Sequence, residues 1–173
     1  MKIVRMGELA VSTTPEDELM TIGLGSCIGV AVVDRARSVA ALAHVMLPEA
    51  AAIPDAPAGK FADLAIPALV AESERMGARR VRLEAVLVGG AQMFDVGVGS
   101  TLDIGARNAQ AVREALAKAR IPVRAQETGG RRGRTMRVHV GAMTVTVKEA
   151  GGREVELWSG SPGPRRSAEA IHR

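Results

Sequence analysis

One cysteine, Cys27, lies just after a glycine-punctuated turn and is the residue of this sequence best suited to covalent chemistry. A lone cysteine in an apolar strand is most often a buried core residue. Here Gly25 and Gly29 flank it. Glycine weakens a strand and often marks a place where another group approaches the backbone closely. The flanking glycines therefore favour the other interpretation, in which Cys27 is a nucleophile.

His44 is the histidine that the strand pattern places near this thiol. Apolar runs at 29–34 and 39–47 predict two strands, and an antiparallel hairpin with an even loop puts Gly29 opposite His44. Directly opposite residues share a face, as do residues two apart on one strand. The imidazole and the thiol become diagonal neighbours, with Gly29 leaving room for the ring. In such a pair the imidazole can ionise the thiol and later protonate a leaving group. The alternative interpretation is that His44 is a hydrogen-bonded histidine of the core.

The other chemistry-bearing residues form no comparable set. His139 falls on the polar face of a predicted strand, and His172 falls near the C-terminus. One cysteine with scattered histidines lacks the ligand spacing of a metal site. The glycine-rich stretches 89–90 and 129–134 lack the Lys and Ser or Thr of a phosphate loop, which favours turns. The sequence predicts no metal and no cofactor.

Composition limits the class of protein. The chain has 173 residues, 47% of them hydrophobic, and 23 basic residues face 19 acidic ones. Two Phe, one Trp and no Tyr offer little stacking surface for bases, so nucleic-acid binding is disfavoured. The charged first twenty residues and the absence of a long apolar run predict neither a signal peptide nor a membrane span. We expect one cytoplasmic domain over 1–158 and a disordered basic tail over 159–173.

The remaining pattern predicts more strands and two helices. Helical spacing appears over about 61–76, with Pro67 marking a kink or a start near Ile66, and again between Asp103, a plausible cap, and Pro122. Apolar residues occupy even positions up to Val140 and odd positions from Met143, and this switch predicts a hairpin with a type II′ turn at Gly141 and Ala142. Further expected features are a strand pair within 2–12, strands at 19–24, 81–88, from 123 and at 154–158, and loops at 48–60 and 91–101.

The strand after Cys27 has two unlike faces. Ile28, Val30 and Val32 are bulky, and this face is predicted to be core. The other face carries Cys27, Gly29, Ala31 and Val33, which are small, and it is predicted to be a site.

Several motifs match one known family in order and spacing. They are Leu24, Gly25, Ser26 and Cys27 with Asp34; residues 43–48; Gly89, Gly90 and Ala91 with Met93 and Phe94; residues 104–108; and Thr128, Gly129 and Gly130 with Arg134. With these motifs the chain, to about Leu157, resembles the chemoreceptor glutamine deamidases of chemotaxis, the CheD family. It departs from the family in the 159–173 tail and at Val33, where an aromatic residue is frequent.

The resemblance implies an enzyme, a protein-glutamine glutaminase that needs no cofactor and converts receptor glutamines to glutamate through a cysteine thioester. It implies that Cys27 is the nucleophile, His44 the general acid and base, and Thr21 a third catalytic residue. The turn at Gly25 and Ser26 and the Cys27 amide are our candidates for oxyanion donors. The implied fold is α/β (α+β), a layered sandwich of mixed, largely antiparallel sheet with two main helices, similar to the cytotoxic necrotizing toxins.

The implied partners are methyl-accepting chemotaxis receptors. A function of another class stays open, because members of this family also bind the CheC phosphatase. The chain would then be a non-enzymatic regulator that binds a CheC-like partner.

Overall fold

Ten strands and two α-helices make up the described part of the chain, residues 1–93 and 103–160 of a computed structural model. The strands are β1 (Lys2–Ile3), β2 (Leu9–Ser12), β3 (Glu18–Leu24), β4 (Ile28–Asp34), β5 (Val39–Val45), β6 (Glu84–Gly89), β7 (Val123–Thr128), β8 (Arg134–His139), β9 (Thr144–Glu149) and β10 (Glu154–Ser159). The helices are α1 (Ala62–Arg75) and α2 (Ile104–Lys118), and short 3-10 turns lie at Arg35–Arg37 and Arg80–Arg82.

The strands form two five-stranded sheets. The first sheet has the order β1-β3-β8-β9-β10, and the second has the order β2-β5-β4-β6-β7. The β1–β3 and β6–β7 pairs are parallel, and the other pairs are antiparallel. This confirms the mixed, largely antiparallel α/β architecture. The expected strand pair within residues 2–12 is wrong, because β1 and β2 join different sheets.

The second sheet is the middle of three layers. One face, which includes Ile28, Val30 and Val32, packs against the buried faces of α1 and α2. The opposite face, which includes Ala31 and Val33, packs against residues of the first sheet such as Leu19 and Met136. The small face of β4 was expected to be a site along its length. It is instead a second core, and only its Cys27 end is half-buried, because the first sheet covers the rest.

The β4–β5 hairpin has the predicted register. Asp34 pairs with Val39 and Gly29 with His44. The loop between them is the 3-10 turn Arg35–Arg37, capped by the Asp34 carboxylate, followed by Ser38 at φ 51°. The even loop therefore keeps His44 on the face that carries Gly29.

The β8–β9 hairpin has the predicted pairs but a different turn. Met136 pairs with Val147 and Val138 with Val145, and the Met143 amide donates to the Val140 carbonyl. Positive φ occurs at Met143 and not at Gly141, so the type II′ prediction is wrong. A Cβ on Gly141 would lie 2.6 Å from the Pro15 carbonyl oxygen. Glycine is needed there for that close approach.

The helices and their flanks differ from prediction in two places. Helix α2 follows its cap as predicted, with the Asp103 carboxylate accepting from the Ala106 amide. Helix α1 begins at Ala62, so Pro67 lies inside it and does not mark its start. The strand expected over 81–88 begins only at Glu84, because the buried Asp34 carboxylate binds the Arg79 amide and the Arg82 side chain. Those bonds hold residues 80–82 in a 3-10 turn.

Two predicted segments lie largely outside the described residues. The loop expected at 91–101 is described only to Met93, and the predicted tail only at Ser159, which ends β10, and Gly160. Within residues 1–93 and 103–160, neither helix is both long and apolar enough to cross a membrane.

Candidate active site

The Cys27 turn joins β3 of the first sheet to β4 of the second sheet. The Ala91 amide donates to the Gly25 carbonyl over 2.8 Å, and the Gly90 amide donates to the Cys27 carbonyl over 2.9 Å. Gly89 has φ 119°, and a Cβ there would lie 2.2 Å from the Cys27 oxygen. The predicted turn at 89–90 therefore supports the backbone of Cys27, and only glycine permits so close a contact.

His44 lies on the same face of the second sheet as Cys27. It pairs directly with Gly29, two residues after Cys27, and its side chain is 1% exposed. The N-terminal segment holds its backbone, since the Gly7 amide donates to the His44 carbonyl and the His44 amide to the Glu8 carbonyl. The backbone register is therefore the predicted one, with His44 opposite the residue two positions after Cys27.

Thr21 reaches His44 from the first sheet. Its hydroxyl lies 2.7 Å from His44 Nδ1 and 2.7 Å from the Val4 carbonyl oxygen. A carbonyl can only accept, so the hydroxyl donates its one proton to Val4 and must accept from Nδ1–H. This fixes the neutral imidazole in the Nδ1–H tautomer and leaves a lone pair on Nε2.

His44 Nε2 is the nitrogen available for proton transfer. It is buried and has no hydrogen-bond partner among the described residues. A buried ring nitrogen without a hydrogen bond costs free energy of folding. Unpaired groups of this kind in native proteins call for an explanation, and a catalytic role is one. With Nδ1 held by Thr21, Nε2 is free to take a proton from a thiol on its own face of the sheet.

Gly29 lies against side chains of the first sheet. A Cβ at this position would lie 2.9 Å from Leu24 Cδ1 and Met136 Sδ, and 3.3 Å from Thr21 Cγ2. These three nearest atoms all belong to residues of the first sheet. Gly29 therefore lets the two sheets approach closely enough for Thr21 to bond His44.

Burial shifts both titrating groups of the pair towards their neutral forms. It raises the pKa of the Cys27 thiol and lowers the pKa of the His44 imidazole, because each charged form loses hydration. Both shifts favour a neutral thiol beside a neutral imidazole.

We predict that alkylation of Cys27 reports this neutral pair. Iodoacetamide reacts with the thiolate, so a raised thiol pKa means that the rate at Cys27 keeps increasing up to at least about pH 9. A model cysteine peptide is the control, and at neutral pH it should react faster than Cys27. Rates measured by mass spectrometry that reach a plateau below about pH 7 would instead show a thiolate–imidazolium pair.

The turn also contains the predicted oxyanion donors. The Gly25 amide donates to the Gly23 carbonyl over 3.0 Å, so it is already occupied. Among the described residues, no acceptor appears for the Ser26 and Cys27 amides. These two amides are therefore free to donate to an incoming acceptor, and Gly25 shapes the turn.

The structure adds one residue that the sequence did not single out for the site. Asn108 of α2 is fully buried, and its side-chain amide donates to the carbonyls of Ser26 and Met46. Its only sequence signal was its place in the 104–108 motif.

The remaining candidates lie elsewhere. His139 pairs with Thr144 on the first sheet, and its ring lies 3.5 Å from the Glu18 carboxylate. His172 is outside the described residues. Over 1–93 and 103–160, no three His, Cys, Asp or Glu side chains group together to hold a metal ion.

Comparisons with known proteins found one matching family and several similar curated proteins. Residues 46–149 match the sequence model of a family described as CheD chemotactic sensory transduction. The chain is 41% identical over 153 residues to the chemoreceptor glutamine deamidase CheD of Thermotoga maritima, covering 88% of this chain and 94% of that protein. It is 42% identical over 150 residues to the probable chemoreceptor glutamine deamidase CheD of Clostridium botulinum, covering 86% of this chain and 92% of that protein.

Among solved structures, the chain aligns with the hypothetical protein YfiH of Bacillus licheniformis. It aligns with a TM-score of 0.42 and 14% identity, over 66% of this chain and 49% of that chain.

Proposed function

The chain belongs to the CheD family, and from this premise we propose that it deamidates glutamine side chains of chemotaxis receptors, with Cys27 as nucleophile. The observation that carries the assignment of roles is the chain of bonds from Val4 through Thr21 to His44 Nδ1. It leaves the Nε2 lone pair on the face of the sheet that carries the thiol. A nucleophile, a base and a group that orients the base are the parts that covalent amide hydrolysis requires.

The first half of the reaction forms a thioester. Cys27 Sγ attacks the amide carbon of the glutamine side chain while His44 Nε2 takes the thiol proton. The carbonyl oxygen becomes an oxyanion beside the Ser26 and Cys27 amides. His44 then returns the proton to the nitrogen, the C–N bond breaks, and ammonia leaves.

The second half reverses the roles with water. His44 Nε2 removes a proton from a water molecule, which attacks the thioester carbon. The C–S bond breaks, the proton returns to Cys27, and the receptor carries glutamate. Oxyanion donors contribute to both halves, and removal of one donor from such a site typically costs about 3–4 kcal/mol of transition-state stabilisation.

The proposed receptor substrate indicates where in the cell the protein acts. Receptor glutamines available to this site lie on the cytoplasmic helical bundle, and a free thiol persists in a reducing compartment. We therefore place the protein in the cytoplasm. A CheC-like phosphatase as a further partner rests on the family resemblance alone.

The test of the function is incubation of the protein with a cytoplasmic receptor fragment. We expect the small mass increase of amide-to-acid conversion at defined glutamines, together with release of ammonia. Tandem mass spectrometry locates the sites, and the fragment alone controls for spontaneous deamidation. A protein that only binds and regulates would leave the receptor mass unchanged.

We predict that Thr21 acts through its hydroxyl. Thr21→Val keeps the shape of a fully buried side chain but cannot accept from His44 Nδ1, so turnover should fall by about 10²-fold. Thr21→Ser keeps the hydroxyl and should recover much of that loss. Iodoacetamide should still label Cys27 in both variants, because alkylation needs the Cys27 thiolate but no proton transfer to a leaving group.

Normal turnover in folded Thr21→Val would reduce Thr21 to a strand residue. Loss of labelling together with turnover would show that Thr21 governs ionisation of the thiol rather than orientation of the ring.

A further inference from the structure

Asn108 connects the two arms of the site through one side-chain amide group. Its Nδ2 lies 2.9 Å from the Ser26 carbonyl oxygen and 2.9 Å from the Met46 carbonyl oxygen. Both partners only accept, so the nitrogen end of the side chain must face them and both of its hydrogens are used. Ser26 immediately precedes the nucleophile, and Met46 follows the base by two residues.

Helix α2 is packed unusually close to the Cys27 turn to allow this contact. A Cβ on Gly105 would lie 2.5 Å from the Gly90 carbonyl oxygen and 2.6 Å from the Ala91 carbonyl oxygen. Glycine at this position lets the first turn of α2 rest on the same segment that holds the backbone of Cys27. Asn108, one turn further along α2, then reaches Ser26.

The bond to Ser26 fixes the direction of the Cys27 amide. The Ser26 carbonyl and the Cys27 N–H belong to one planar trans peptide unit, so they point in opposite directions. Holding the carbonyl towards α2 directs the N–H away from that helix. A hydrogen bond accepted at the carbonyl also polarises the peptide and makes its N–H a stronger donor.

We propose that Asn108 is a positioning residue that aims and polarises the Cys27 amide as the oxyanion donor. The inference rests on the proposed function, because an oxyanion forms only if Cys27 attacks an acyl carbon. The free Cys27 N–H, with no acceptor among residues 1–93 and 103–160, is available for this use. Asn108 Oδ1 is buried and has no partner within the same residues, so the side-chain hydrogen bonds described for Asn108 are the two that Nδ2 donates.

The test separates acyl transfer from alkylation at the same sulfur. Iodoacetamide alkylates Cys27 by displacement at a saturated carbon and forms no oxyanion, whereas p-nitrophenyl acetate acylates it through one. Asn108→Ala should therefore slow acylation at least about tenfold, below the 10²–10³-fold typical for loss of a direct donor. The alkylation rate should change less than about twofold, and receptor deamidation should lose kcat with little change in KM.

Two further variants keep the comparison decisive. Asn108→Leu fills the buried position, lacks both donors and adds no charge, so it should reproduce the effect even if Asn108→Ala folds poorly. Val112→Ala removes buried volume from the same helix and keeps the Asn108 side chain, and it should leave the ratio of acylation to alkylation unchanged. Cys27→Ala gives the background rate for both reagents.

The outcomes are distinct. Equal losses of acylation and alkylation, unchanged acylation in a folded Asn108 variant, or the same altered ratio in Val112→Ala would each overturn the positioning role. Failure of the wild-type protein to deamidate receptor while it is still acylated at Cys27 would overturn the proposed substrate and leave the Asn108 result to be read from the acylation ratio.

Discussion

Cys27→Ala is expected to abolish receptor deamidation, with a loss of at least about 10⁴-fold in kcat that brings the rate to background. The thiol supplies the bond that forms in the thioester, and no other cysteine exists in the chain to replace it. The side chain is only half-buried at the edge of the core between the sheets. Its removal should therefore leave the thermal unfolding temperature nearly unchanged.

The measurement is ammonia release and receptor mass for wild-type protein and for Cys27→Ala and Cys27→Ser. Serine keeps the size of the side chain but is a far weaker nucleophile at neutral pH, so both variants should be inactive. A variant that folds normally and still turns over receptor would refute the nucleophile assignment.

His44→Ala is expected to lose about 10³-fold or more in turnover, whereas His139→Ala should stay close to wild type. The two histidines differ in position and not in chemistry. His44 is buried between the sheets and bonded to Thr21, while His139 lies 3.5 Å from Glu18 and 3.4 Å from Thr146 Oγ1, away from the Cys27 turn. We therefore expect proton transfer with the thiol to depend on His44 and not on His139.

Removal of His44 also empties a buried volume, so its effect on folding must be measured separately. His44→Gln fills more of that space and should unfold at a higher temperature than His44→Ala while remaining as inactive. Comparable activity losses in folded His44→Ala and His139→Ala would contradict the geometry of the site.

The register of the β4–β5 hairpin was predictable because strand periodicity is strict. Side chains alternate with a period of two, so the apolar pattern and an even loop leave one register in which both strands bury their apolar residues. That register places His44 opposite Gly29 and identifies Cys27 and His44 as neighbours from residue types and spacing. The cap of α2 at Asp103 was likewise local, since a carboxylate can bind amides three residues later.

The errors share one physical cause, which is contact with a segment distant in sequence. Gly141 was assigned to a type II′ turn, but the Pro15 carbonyl determines why glycine is there. Residues 81–83 have the composition of a strand, but the buried Asp34 carboxylate draws Arg79 and Arg82 away from the sheet. Propensity describes what a segment prefers alone, and each of these segments is held by a partner that its own sequence does not reveal.

Residue types and strand spacing were enough to select Cys27 as the candidate nucleophile, His44 as its candidate partner and the strand face that they share. Thr21 could be assigned only by resemblance, because its hydroxyl reaches His44 through the stacking of two sheets and not through any hairpin. The same stacking sets the tautomer of His44, the direction of both pKa shifts and the role of Gly29. The alternation of side chains along a strand shows which residues share a face of the sheet. The element that packs on that face is set by contacts between segments distant in sequence, and it determines which side chains are buried and hydrogen-bonded.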